Sequence, residues 1–336
     1  MRKVLCVCVL LIVSVVGLMA AEAENLKLWY SAPARNWWEA LPVGNSHIGG
    51  MVFGGVAHEE IQLNEETFWA GGPYNNNREG ASAYLNEVRK LIFEGKNSEA
   101  RSLLDAKFMP SQHGMRYLTL GSLRMDFDCE GEVDAYSRDL NLEDATASVR
   151  FRCGGVEYTR RVFTSFADNV MVIELAAGEG SKNLGVDLRY ACPLTSEVKN
   201  EGEYLVMYCN GAEHEGVPAA LHAVVMMRVK SDGKVVCKDG SLSVKDASSA
   251  TILLSSATNF VNYQDVSGDA YAKARRAIEG AWGKPNKILY KEHKETYSEQ
   301  FGRVDLSLPS FEFSKRETDI RINDFNKVED CSLAAL

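Results

Sequence analysis

From Tyr117 onward, apolar and polar residues alternate with a period of two. Leu118 and Leu120, then Leu123, Met125 and Phe127, then Ala147, Val149, Phe151 and Cys153 fall on alternate positions. Successive side chains of a strand point to opposite faces, so this alternation predicts strands with one face in a core. Gly154-Gly155 then leads into Val156-Glu157-Tyr158, which predicts a two-residue hairpin. Further strands are predicted at Val170–Leu175, Leu184–Tyr190, Tyr204–Cys209, Leu221–Val229, Lys234–Cys237, Ser241–Val244 and Thr251–Ser256. The turn dipeptides Asn210-Gly211, Asp232-Gly233 and Asp239-Gly240 separate them. Nearer the start, Leu26–Tyr30 reads as a strand and Trp37–Leu41 as an aromatic turn. Met51–Phe53 and Ile61–Leu63 flank Gly54–His58 as a hairpin with a longer loop.

Two regions have a helical period instead. Leu85, Val88, Leu91 and Ile92 predict an amphipathic helix over Ala81–Phe93, and Ser98–Phe108 a second one after Gly95-Lys96-Asn97. Beyond Phe260, Ala270–Ile278 presents Ala274, Ala277 and Ile278 on one face. In Asn286–Gln300 and the residue after it, Leu289, His293, Tyr297 and Phe301 are spaced by four. Val304–Leu308 alternates as one more strand, closed by Pro309. Many short strands without βαβ alternation exclude a parallel sheet. The expected fold is mostly β: a large antiparallel β-sandwich with an inserted helical hairpin, followed by linker helices. The expected divisions are a targeting segment at 1–23, the sandwich at 24–262, linker helices at 263–303 and a final strand with a linker at 304–336.

Composition narrows the setting. The 336 residues are 46% hydrophobic and 25% charged, which suits a globular protein. Arg2-Lys3, an apolar run from Val4 to about Met19 and Ala21-Glu22-Ala23 form an export signal, with a mature chain starting near Glu24. The run is short for a bilayer and polar residues follow at once, so no membrane span is expected after cleavage. Cleavage removes Arg2, Lys3 and Glu22, which leaves the chain one unit more negative than its formal −9. An acidic surface without basic clusters argues against nucleic acid as a partner. The expected location is periplasmic or extracellular. Six cysteines remain: Cys129, Cys153, Cys192, Cys209, Cys237 and Cys331. Their wide spacing, with no C-x-x-C pair, gives no metal site. Oxidising surroundings permit disulfides, but a domain of this size does not need them, and most are expected as buried free thiols on strands. No Walker loop, dinucleotide fingerprint or Ser-His-Asp order appears, and no cofactor is expected.

The densest stretch is residues 37–73, where Trp37-Trp38-Glu39-Ala40-Leu41-Pro42-Val43-Gly44-Asn45 leads through Gly49-Gly50-Met51-Val52-Phe53-Gly54-Gly55 to Ile61-Gln62-Leu63-Asn64-Glu65 and Trp69-Ala70-Gly71-Gly72-Pro73. This run resembles the N-terminal signature of glycoside hydrolase family 95, which contains inverting α-L-fucosidases and some α-L-galactosidases. Leu120-Gly121-Ser122-Leu123, Tyr158-Thr159-Arg160, Ala257-Thr258-Asn259-Phe260 and His293…Tyr297…Phe301-Gly302-Arg303-Val304 extend the similarity along nearly the whole mature chain. Asn45-Ser46-His47 departs from the Asn-Gly-Arg often found there. The resemblance implies an N-terminal sandwich that supports an (α/α)-barrel. In the family the barrel supplies the glutamate general acid and an asparagine-positioned water. It also implies that the barrel begins near Ser332–Leu336, so that the chain is truncated before its catalytic domain. No catalytic residue is therefore assigned here.

Partners implied by the resemblance are a fucosylated glycan or other carbohydrate, and the helical catalytic domain if supplied. Candidates for the edge of the substrate site or for contact with that domain are Asn45, His47, Asn64, Glu65 and Trp69. Glycosidic cleavage by inversion needs two carboxyl groups ~6.5–9.5 Å apart. Glu59-Glu60 and Glu65-Glu66 are adjacent on a strand, so each pair is expected to point to opposite faces. His47 could instead be a turn histidine, and Trp69 a packing anchor rather than a sugar platform. The alternative to a hydrolase domain is a stand-alone carbohydrate-binding or interaction sandwich.

Overall fold

The structure is a computed structural model that describes residues 26–110, 114–178 and 181–336. The predicted targeting segment, 1–23, lies outside the described residues. The chain opens with β1 (Lys27–Tyr30), β2 (Leu41–Gly44), β3 (Ile48–Val52) and β4 (His58–Glu65). The helical hairpin follows as α1 (Leu85–Phe93) and α2 (Asn97–Lys107). Then come β5 (Ser122–Phe127), β6 (Val133–Asn141), β7 (Thr146–Cys153), β8 (Val156–Ser165), β9 (Val170–Ala177) and β10 (Leu184–Ala191). The last strands are β11 (Ser196–Glu201), β12 (Tyr204–Asn210), β13 (His222–Ser231), β14 (Lys234–Lys238), β15 (Ser241–Ala247) and β16 (Ser249–Thr258). Four helices end the chain: α3 (Ala270–Trp282), α4 (Asn286–Phe301), α5 (Thr318–Asp324) and α6 (Cys331–Ala335).

The strands form two antiparallel sheets. One has nine strands in the order β1-β6-β7-β8-β9-β16-β13-β12-β11, the other seven in the order β14-β15-β10-β5-β4-β3-β2. The main core lies between them, where Ile61, Leu63, Leu123 and Met125 of the smaller sheet join the cluster of Val149, Met171, Ile173, Val225, Ile252 and Leu254 of the larger. A second core covers the outer face of the nine-stranded sheet. There Phe163, Val170, Val172, Val224, Met226 and Leu253 pack with Ala270, Ala274, Ile278 and Ala281 of α3 and Leu289 of α4. Central strands buried on both faces read as unbroken apolar runs, which is why β9, β13 and β16 lose the strict alternation of β7. The predicted linker helices are thus a covering layer of the sandwich.

His293 of α4 is buried, with Nε2 2.7 Å from the Asp144 carbonyl oxygen. Loss of water around the ring lowers its pKa, with the hydrogen bond to Asp144 opposing. Unfolded histidine titrates near 6.5, so below about that pH the unfolded chain binds the extra proton first. The stability that depends on a neutral His293 is therefore complete above about pH 6.5 and is lost as pH falls toward the lower folded value. The stability difference between the parent and His293→Gln, followed by urea unfolding, is expected to shrink as pH falls through this window. A difference that stays constant would exclude the linkage.

Several predicted elements are corrected. Val304–Leu308 forms no strand; Val304 and Leu306 are exposed, and no neighbouring strand pairs with them. The apolar face of α1 buries only Val88, while Leu85, Ile92 and Phe93 stay exposed. The segment after Pro309 folds back on β1: the Trp29 amide donates to Thr318 Oγ1 at 2.9 Å. Arg321 grips Asp330 in two bonds of 2.7 and 2.8 Å, and both are buried. Ser332 is also buried and bonds this pair. Cys129 and Cys153 form a disulfide, whereas Cys192, Cys209, Cys237 and Cys331 are free. Among the free thiols only Cys209 is fully buried. No described helix is long and apolar enough to cross a membrane.

Candidate functional site

The β3–β4 hairpin sets the site. Its register places Gly50 opposite Leu63 and Ile48 opposite Glu65. Asn45 lies just before β3, and its amide is spent inside the fold. Oδ1 accepts from the amides of His47 and Ile48 at 3.1 and 2.8 Å, and Nδ2 donates to the Ser165 carbonyl at 2.9 Å. These bonds fix a turn through Ser46 at φ 64° and so aim His47. His47 Nδ1 lies 3.0 Å from Glu66 Oε1, and Nε2 lies 3.7 Å from Glu65 Oε1.

Glu65 is 1% exposed. Its carboxylate accepts from the Thr67 amide at 2.8 Å and from the Thr67 hydroxyl. Burial raises its pKa, while the Thr67 hydroxyl, His47 and the Thr67 amide oppose the shift. Glu66 lies one residue past the end of β4, so strand alternation no longer governs it, and it is exposed. His47 consequently touches both acids, which the alternation rule had set on opposite faces. Thr67 Oγ1 also pairs with Thr258 Oγ1 of β16, tying the hairpin to the larger sheet.

Trp69 is 42% exposed and does not form a buried anchor. Its Nε1 donates to the Glu66 carbonyl at 2.9 Å, and its ring lies 4.9 Å from that of Tyr117. The Tyr117 hydroxyl donates to the Glu65 carbonyl at 2.9 Å. Trp69 forms one wall of an open groove of about 360 Å³ with Tyr74, Met115, Phe260, Tyr263 and Val266. Tyr263 is 78% exposed. Gly71, at φ +70°, lets the chain turn along this wall, and its amide donates to the Ala212 carbonyl at 2.7 Å. On the other side Asn259 holds the 260–266 loop. Its Oδ1 accepts from the His222 amide, and its Nδ2 donates to the carbonyls of Ala220 and Val266.

The structure thus brings His47, Glu65 and Trp69 together. Asn45 supports them from within, and Asn64, opposite Gly49, is not a wall of the groove. Tyr74, Met115, Tyr117 and Tyr263 were missed because they come from separate loops; only Phe260 fell within a motif singled out from the sequence. Trp37 and Trp38 lie elsewhere and are exposed. Among the described residues that line the groove, Glu66 is the single carboxylate. Glu59, of the other acidic pair, is buried against Arg160. The groove therefore offers aromatic faces for packing but lacks the two opposed carboxyl groups that glycosidic hydrolysis uses. Among the described residues, no group of three or more His, Cys, Asp or Glu is placed to hold a metal ion.

Residues 28–263 match the model of the glycosyl hydrolase family 65 N-terminal domain. The chain is similar to "Alpha-L-fucosidase 2" of Arabidopsis thaliana, with 28% identity over 348 residues, covering 94% of this chain and 41% of the relative. It is similar to "Probable alpha-fucosidase A" of Aspergillus niger, with 25% identity over 292 residues, covering 80% and 36%. The protein of the same name from Aspergillus oryzae is 24% identical over 337 residues, covering 92% and 45%. The chain spans about two fifths of the length of the curated relatives it matches.

Proposed function

The chain belongs to the family of glycosyl hydrolase family 65 N-terminal domains, and from that premise we propose that it is the non-catalytic sandwich of an exported, fucosidase-type hydrolase that acts on fucosylated glycans. In this reading a helical domain performs the hydrolysis, and the groove beside Trp69 is the surface on which that domain rests. One observation carries the reading: the groove is aromatic and open, yet a single carboxylate reaches it. Such a surface can hold a partner by packing but has no acid and base facing each other across a sugar. The relatives' names, and their greater length, support a fucoside substrate and a further domain. The Cys129–Cys153 disulfide supports export, since such bonds persist in oxidising compartments.

The test is a joined protein. This chain takes the place of the matching segment of the Arabidopsis relative, joined to that protein's remaining residues. Hydrolysis of an aryl α-L-fucoside is expected. Truncating groove aromatics, as Trp69→Ala with Tyr263→Ala, removes exposed contacts that act only when the second domain is seated. Turnover is expected to fall about tenfold or more, the loss that accompanies about 1.4 kcal/mol of domain contact. The chain alone should keep its melting temperature within a few degrees, because neither ring is buried. Full turnover in the double variant would remove the groove from the interface. Saturable, Trp69-dependent binding of a fucosylated oligosaccharide by the chain alone would favour the stand-alone binding module.

A further inference from the structure

Cys192 lies one residue beyond the end of β10, where the chain leaves the seven-stranded sheet, and Cys209 lies in β12 of the nine-stranded sheet. Their sulfurs are 3.5 Å apart. A disulfide needs roughly 2.05 Å, so closure asks for a movement of roughly 1.5 Å shared by two side chains. The backbone at Cys192 is held close by Gly121. A Cβ there would lie 2.7 Å from the Cys192 Cα, and Gly121 has φ +76°. Cys192 is half-buried and reachable from solvent, whereas Cys209 is buried behind it.

We propose that Cys192 and Cys209 are a cystine site, oxidised by disulfide exchange to a covalent staple between the two sheets, independently of the functional reading above. The chemistry favours Cys192 as the attacking sulfur. The Cys209 thiol donates to it, and the Leu194 amide and Ser196 hydroxyl add donors. Against the opposing effect of burial, these hold its pKa down to about 6. The same contact, with burial, pushes the Cys209 thiol up. Cys192 therefore carries the thiolate, and Cys209 is the resolving thiol. The oxidant is a disulfide, either of a small thiol or of an exchange protein. The Cys192 thiolate attacks one of its sulfurs and expels the other as a thiolate. Cys209 then gives its proton to solvent, attacks Cys192 in the mixed disulfide and expels the second thiolate. One disulfide is broken and one formed, and two electrons pass from the cysteine pair to the oxidant.

The bridge closes a loop across β11 at a separation of 17 residues. It also fixes the end of β12, three residues before Ala212, whose carbonyl accepts from Gly71, between the groove-lining Ala70 and Gly72. A loop of this size raises the melting temperature by about 5 °C in a chain of this length.

The experiment reduces the full chain and transfers it to a buffer of reduced and oxidised glutathione. Free thiols are then alkylated, and the peptides are mapped by mass spectrometry. Peptides containing Cys192 and Cys209 should be joined, with the loss of two hydrogens, while Cys237 is alkylated. The melting temperature should exceed that of Cys209→Ala in the same buffer by about 5 °C, and Cys237→Ala should behave as the parent. Alkylation of both Cys192 and Cys209, glutathione retained on Cys192, or Cys192 joined to a different cysteine would each overturn the proposal. The mapping is done on the parent chain, so it decides even where a variant folds poorly.

Discussion

Glu59→Ala is expected to lower the stability of the chain by about 3–5 kcal/mol, the cost of leaving one member of a buried ion pair without its partner. Glu59 projects from β4 and Arg160 from β8, so the pair bridges the two sheets inside the core. Both side chains are almost wholly buried, and Arg160 donates to Glu59 Oε2 at 2.9 Å. The other carboxylate oxygen accepts from the amides of Gly54 and Glu60 at 2.8 and 3.1 Å. Arg160 also donates to the carbonyls of Gly55 and Val56 and lies over the Phe127 ring at 3.8 Å. Burial pushes the Glu59 carboxyl up. Arginine stays protonated in proteins, so it and the two amide donors oppose that shift. With Glu59 gone, the guanidinium remains in the core with only carbonyls and rings to face. Thermal unfolding should show a drop of about 5–8 °C. Glu59→Leu combined with Arg160→Met should cost less than the sum of the single changes, by about 1–3 kcal/mol of coupling. It will not be neutral, because the carbonyls of Gly55 and Val56 lose their donor. A loss below about 1 kcal/mol for Glu59→Ala would show that the pair does not hold the sheets.

Much of the sandwich was legible because its residues obey a period. The strands of the core alternate or run fully apolar, and Gly154-Gly155, Asp232-Gly233 and Asp239-Gly240 mark their turns. The edge strand Ser196–Glu201 escaped: it carries Val198 as its single aliphatic residue, and no such pattern marks a strand without a fully buried residue. Val304–Leu308 failed the other way: it alternates, but a strand exists only where a neighbour accepts its hydrogen bonds. The face of α3 was nearly right, with Ala270 and Ala281 completing Ala274 and Ile278. The return of the last segment onto β1 depends on Arg321 meeting Asp330, a long-range pairing that carries no local signal. The same applies to Cys129 and Cys153.

The site divides similarly. His47, Glu65 and Trp69 were found because they lie on one hairpin, and chain proximity became proximity in space. The direction each side chain takes was not readable. Asn45 turned inward to cap its own turn, and Trp69 turned out toward solvent. The groove's far wall came from the loop after Asn259. The Ala257–Phe260 motif pointed to that loop, but nothing in its sequence placed Tyr263 across from Trp69.

In the role proposed above, this chain shapes a fucosidase-type hydrolase without supplying its chemistry. Inverting hydrolysis needs an acid and a water-activating base on opposite sides of the sugar. In this chain Glu59 is consumed by Arg160, Glu65 is buried under Thr67, and Glu66 stands alone at the groove beside His47. Losing one member of an acid–base pair typically removes a factor of about 10²–10⁴ in rate, and among the described residues that line the groove Glu66 has no opposed carboxyl group. The direct measurement is an assay of the purified chain by itself on an aryl α-L-fucoside and on a fucosylated oligosaccharide. The expected result is release of product no faster than in buffer. Turnover that accompanies the protein through purification and disappears in Glu65→Gln or Glu66→Gln would overturn that role.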